Sequence, residues 1–153
     1  MGPSRPTGRG FTLIELMMAI VIIAILTTLA GPSLVDLIND QRAKSAATDL
    51  FVAMNVARSE AVKRNTTVTL SPKSGDWTNG WVVANPAGGA NLLDHNATSV
   101  PISGGPVQVR YTGSGRLVGA DGVPSFTIGA SGSTQRCLSV DLSGRPYIKA
   151  AAC

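Results

Sequence analysis

The chain has 153 residues, of which 44% are hydrophobic, 14% charged and 5% aromatic, with a net charge of +4. That length suits one domain, and that mixture excludes a disordered tail or a collagen-like repeat. From Phe11 onward 11 basic residues face 9 acidic ones, too small an excess for bulk charge to mark a nucleic-acid binder. One histidine, His95, and two cysteines, Cys137 and Cys153, exclude a His- or Cys-rich metal cluster and any triad needing a second histidine. No nucleophile–base arrangement stands out, so no catalytic residue, metal site or cofactor is expected.

The first element is Phe11 to Gly31, FTLIELMMAIVIIAILTTLAG, with 20 uncharged residues between Glu15 and Asp36. As a helix such a run is about 30 Å long, the thickness of a bilayer core. It is too long, and apolar on too many sides, for an ordinary core helix, so a membrane segment is expected. A removable secretory signal competes: Arg5 and Arg9 precede the run, and Thr28-Leu29-Ala30 before Gly31 offers small residues for cleavage. Glu15 opposes it. A carboxylate costs ~2.5–3.5 kcal/mol at a bilayer centre and less near the interface, and a signal peptide gains nothing from one.

Gly8-Arg9-Gly10-Phe11-Thr12-Leu13-Ile14-Glu15 closely resembles the signal of type IV pilins and type II secretion pseudopilins. The resemblance implies that a prepilin peptidase cuts between Gly10 and Phe11 and methylates the new amine. Glu15 then stands fifth in the mature chain, where the family carries a glutamate. Physically, an acid one turn into a helix complements the N-terminal dipole. In low dielectric it can also pair with the Phe11 amine of a neighbouring subunit and guide docking. The positive-inside count is a tie, Arg5 and Arg9 against Arg42 and Lys44. A cytoplasmic N-terminus therefore follows from the resemblance alone.

Gly31-Pro32 predicts a kink or loosening, since proline removes a helical hydrogen bond. Beyond it Ala43, Ala47, Leu50, Met54, Ala57 and Ala61 step by 3 and 4, one face of an amphipathic helix that should stop near Asn65. Ala57-Arg58-Ser59-Glu60-Ala61-Val62-Lys63-Arg64-Asn65, Gly80-Trp81-Val82-Val83 and Ser143-Gly144-Arg145 are similar to motifs of the family joining the secretion pseudopilin GspH with the minor pilins FimT and FimU. By themselves Arg58, Lys63 and Arg64 read as a solvated helix face.

The remainder reads as short strands. Thr66 to Leu70 is strand-like, and Trp81 to Ala84 is a short apolar strand. Val107 to Tyr111, Ser125 to Ile128 and Leu138 to Leu142 alternate apolar and polar, and Arg116 to Val118 suits a hairpin partner. Residues 85–106, rich in Gly, Pro and Asn, read as a surface loop. Trp77 and Trp81 read as packing residues rather than a stacking platform. The fold class expected is α+β: a pilin-like helix on a small antiparallel sheet. Its parts are a leader 1–10, a membrane and filament-core helix 11–31, an amphipathic helix 32–65 and a β-rich domain 66–153.

Cys137 and Cys153 enclose 15 residues. In an exported domain they suit a disulfide, worth ~3 kcal/mol for a loop of that size. Catalytic thiols are the alternative, without a Cys-x-x-Cys. Pilins staple their C-terminal region in this way more often than pseudopilins do. Between the cysteines, Asp141 to Lys149 would, if extended, set Arg145, Tyr147 and Lys149 on one side. Cations flanking an aromatic can bind phosphate and stack a base. In FimT-like minor pilins a Gly-Arg-x-Arg motif here serves DNA capture. This chain has Gly144-Arg145-Pro146-Tyr147, and Lys149 replaces the second arginine only in part.

The resemblance implies a minor pilin or pseudopilin stored in the bacterial inner membrane. Its globular domain would be periplasmic and its partners other pilins or pseudopilins, with DNA capture as the alternative function.

Overall fold

The computed structural model describes residues 10–131 and 134–153, and of residues 28–33 and 120 only the backbone. The expected leader residues Arg5, Gly8 and Arg9 lie outside the described residues. The chain divides into two units, Met1–Val35 and Asp36–Cys153.

The helix α1 is Leu13–Arg64. Its start is set by a reciprocal cap. Thr12 Oγ1 accepts from the Glu15 N–H at 3.3 Å, while Glu15 Oε2 accepts from the Thr12 N–H at 2.8 Å. This capping box satisfies backbone donors that every helix start leaves unpaired. The helical backbone runs on through Gly31 and Pro32, so the helix does not end where proline removes a bond. Its end has a matching cause. Asn65 adopts φ 48°, its N–H reaches Val62 O at 3.2 Å, and the Thr66 N–H reaches Ala61 O at 3.1 Å. That is a Schellman closure with asparagine in the left-handed position, and the cations Lys63 and Arg64 complement the last turn's dipole.

Within the second unit eight strands follow: β1 Val68–Pro72, β2 Trp81–Val83, β3 Leu93–His95, β4 Ile102–Gly104, β5 Val109–Tyr111, β6 Ser125–Ile128, β7 Arg136–Val140 and β8 Pro146–Lys149. They build two antiparallel sheets, ordered β3-β2-β1-β5 and β4-β6-β7-β8. The fold is α+β, with two four-stranded sheets in place of the single small one expected.

Four expectations need correction. Residues 85–106 contain β3 and β4. These strands are three residues each, and Ile102 is the only buried residue in them, so no alternation signals them. The strand expected from Val107 starts at Val109, since Val107 is 87% exposed. Arg116 to Val118 makes a single bridge, Leu117 to Tyr111. The strand expected over 138–142 is shifted to Arg136–Val140, and Leu142 stands in the following turn.

One core joins these elements. Ala43, Ala47, Leu50, Met54, Ala57 and Ala61 are all fully buried, as the spacing predicted, and Ala46 and Ala53 widen the stripe. Small side chains let the helix backbone lie close to the sheets. Facing it are Val68, Leu70, Trp81, Val83, Val109 and Tyr111 from the first sheet and Phe126, Ile128, Leu138 and Val140 from the second. Both tryptophans belong to this core. Trp77 sits edge-on to Phe126 at 4.9 Å and donates to Pro106 O at 2.9 Å. Trp81 stacks on His95 with ring centres 4.1 Å apart.

Candidate functional site

The N-terminal site begins at Gly10 and Phe11, both exposed. The side chains of Leu13 to Leu26 stand open on every side: Leu13 is 77% exposed, Val21 57% and Leu26 59%. Among the described residues of this unit its side chains are exposed all round, the surface of a helix suited to apolar surroundings. Among the described residues no helix is long and apolar enough to cross a membrane; the side chains of 28–33 fall outside that set. Glu15 lies on this surface with its carboxylate held by the Thr12 hydroxyl at 2.9 Å as well as by the Thr12 N–H.

The C-terminal site is built on two turns of one sequence, Ser114-Gly115-Arg116 after β5 and Ser143-Gly144-Arg145 after β7. The turns share a hydrogen-bond plan. The Thr112 N–H donates to Arg116 O and the Gly115 N–H to Thr112 O, both at 2.8 Å; the Asp141 N–H donates to Arg145 O at 3.0 Å and the Gly144 N–H to Asp141 O at 2.9 Å. Each places its glycine in the left-handed region, φ 74° and 82°, where other residues are strained. The turns also touch. A Cβ on Gly144 would lie 2.3 Å from Gly115 O and 3.2 Å from Arg116 Cα, so only glycine permits the approach.

Arg58 ties both turns to α1. Its Nε donates to Gly115 O at 2.9 Å and an Nη to Ser143 O at 3.4 Å. The solvated reading of Arg58 is thereby corrected: it is half-buried and crosses to both turns. Arg64 does lie at the surface, bound to Glu60 Oε2 at 2.7 Å. Sequence reasoning missed the pairing of Arg116 with Arg145, although the repeated Ser-Gly-Arg tripeptide was a visible signal.

Of the expected DNA-binding residues, the aromatic Tyr147 and the cation Lys149 lie on β8, with Lys149 Nζ 5.2 Å from the Tyr147 ring centre. Arg145 directly precedes the strand, at the end of the turn, and its carbonyl accepts from the Asp141 N–H at 3.0 Å. Arg110 is bound by Asp121 at 2.6 and 2.9 Å, and Arg136 by Asp40. The exposed cations of this region without an ion pair, among the described residues, are Arg116, Arg145 and Lys149. The hydrogen bond from Arg110 holds the Asp121 carboxyl below its ordinary value, and that of Asp141 is lowered by the Ser143 hydroxyl and the Arg145 N–H. Burial pushes the Tyr111 hydroxyl up to about 12, and among the described residues it has no hydrogen-bond partner.

Cys137 and Cys153 form a disulfide with Cα atoms 4.9 Å apart. It pins the terminus beside β6, where the Cys153 N–H donates to Thr127 Oγ1 at 3.2 Å.

A helix laid on antiparallel sheets, with an exposed apolar N-terminal stretch, is the type IV pilin architecture, and the comparisons agree. Two crystal forms of the Pseudomonas aeruginosa (strain PAO1) type IV minor pilin FimU are similar to this chain. One is 28% identical over 69% of this chain and 91% of that one, with a TM-score of 0.59. The other is 26% identical over 72% and 90%, with a TM-score of 0.60. Residues 6–31 match the prokaryotic N-terminal methylation motif, and residues 46–144 match the type II transport protein GspH. The chain belongs to the GspH family. No curated protein matches it. Family and motif together imply a membrane-anchored subunit that assembles with other pilin-like chains.

Proposed function

We propose that the protein is a structural, non-catalytic subunit of a type IV pilus or type II secretion filament. Its precursor is held in the inner membrane by residues 11–31, with the N-terminus cytoplasmic and residues 66–153 periplasmic. A prepilin peptidase cuts between Gly10 and Phe11. The observation that carries this reading is the run from Leu13 to Leu26, open on all sides in the single chain. Burying such a surface among lipids or neighbouring helices is strongly favourable. Mass spectrometry of the mature protein is expected to find N-methyl-Phe11 at its terminus; a chain starting at Gly31 would mean ordinary signal cleavage instead.

In this reading Glu15 pairs with the Phe11 amine of a neighbour. Its bond to Thr12 offers a competing role, helix capping, and the two separate experimentally. Glutamine can complete a capping box but carries no charge. Glu15→Gln is therefore expected to insert normally and to impair filament incorporation as much as Glu15→Ala. Full incorporation of the glutamine variant would leave capping as the role. A deletion strain scored together for twitching, transformation and exoprotein release identifies the machine.

DNA capture is a second reading, supported by the exposure of Arg145, Tyr147 and Lys149. Three unpaired cations, Arg116 included, imply weak binding whose logarithm falls with log salt at a slope of about −2 to −3. The full chain in detergent should shift duplex DNA at low salt, and Arg145→Ala with Lys149→Ala should abolish the shift. No shift by the unmutated chain ends this reading.

A further inference from the structure

We propose that His95 is a proton-operated clasp between the edge strand β3 and the helix α1. The proposal rests on the fold of the second unit alone and is independent of the filament reading.

His95 ends β3, the outer strand of the first sheet. Both of its ring nitrogens face acceptors. Nδ1 lies 2.6 Å from Asn96 O, and Nε2 lies 3.5 Å from Asp49 Oδ2 on α1. A carbonyl oxygen only accepts, so Nδ1 carries a proton. In the neutral ring Nε2 is then a bare lone pair set against a carboxylate, whereas the imidazolium donates on both sides. The ring also lies flat on the indole of Trp81, 4.1 Å between centres and 6° between planes, and an aromatic face attracts a cation. Backbone packing keeps the ring in place: a Cβ on Gly80 would lie 2.2 Å from His95 O.

Two other charged groups stand near the ring. Arg42 lines the same recess from α1 and opposes a second positive charge there, but it forms no ion pair with Asp49 among the described residues. Asp94, the preceding residue on β3, is bound to Lys73. Ala97, Thr98 and Ser99 at the rim are uncharged. Asp49 offsets Arg42, and the two acceptors then favour the imidazolium. The chain has one histidine, and its two cysteines are joined, so His95 is the side chain that titrates between about pH 5.5 and 7.5. No residue of β3 is fully buried, so few contacts hold this strand. With the proton on, β3 is tied to α1. As pH rises and the proton leaves, the tie is lost and this sheet edge loosens.

The test is amide hydrogen exchange of residues 93–95 in the full-length chain in detergent at pH 5.5 and 7.5, each rate divided by its intrinsic value. Opening of β3 is expected to be about two- to fivefold more frequent at pH 7.5, the size of a half-exposed ion pair. Asp49→Asn keeps the shape and removes the charge, and should abolish the difference, as should His95→Gln. Equal opening at the two pH values in the parent chain overturns the proposal, as does a difference that survives Asp49→Asn. A difference of the same size in the amides of β7 overturns it too, because a clasp on β3 acts locally. Should His95→Gln fail to form its disulfide, Asp49→Asn decides alone.

Discussion

Tyr111 ends β5 with its ring fully buried and its hydroxyl without a partner among the described residues. A buried unsatisfied hydroxyl costs free energy that phenylalanine does not. Tyr111→Phe is expected to leave stability unchanged or raise it by up to about 1 kcal/mol, read from denaturant midpoints. The same group sets an alkaline limit. With its folded value raised from 10.0 to about 12, the unfolded chain loses the proton first, so stability is complete below about pH 10 and falls between about 10 and 12. The phenylalanine variant should lose that part of the alkaline decline. Gly144 is the opposite case, a position that tolerates no side chain. Gly144→Ala meets both a left-handed φ and the Gly115 carbonyl, and should cost about 2–4 kcal/mol.

At the scale of elements, α1 lies close to the sheets because alanines line its buried face. Ala47→Leu would force a larger group into a filled contact and should destabilise by about 1–3 kcal/mol, seen as a lower Tm. Ion pairs add orientation rather than much energy. The Arg110–Asp121 pair joins β5 to the turn at 119–121, with Asp121 9% exposed. Its carboxyl is depressed in the folded state, so its contribution is present above about pH 4 and lost as pH falls through the folded value. An acid titration of stability should therefore flatten in Asp121→Asn relative to the parent chain.

Over the whole molecule the disulfide closes the last 15 intervening residues onto β7. Without it the exposed tail after β8 has little but the Thr127 contact to hold it. Cys153→Ser is expected to lower stability by ~3 kcal/mol in the chain-entropy model, measured by unfolding under oxidising conditions.

What could be read in advance follows from how each feature is encoded. The processing signal, the apolar run and the alanine face are local: consecutive residues or a 3.6-residue period, carried by covalent order and helix geometry. They were legible, and so were the two cysteines, because only two exist to pair. The strands β3 and β4 were not, since three-residue strands with one buried side chain between them carry no period and are held by neighbours distant in sequence. The roles of Arg58 and Arg116 were hidden for the same reason. Arg58 reaches carbonyls 57 and 85 residues away, and the two turns meet only because both sheets pack on one helix. The amino-acid order determined the family, the anchor and the helix face. Tertiary packing alone decided which cations are neutralised, which remain open, and that two separate Ser-Gly-Arg turns become one surface, because charge pairing and close approach depend on distance in space.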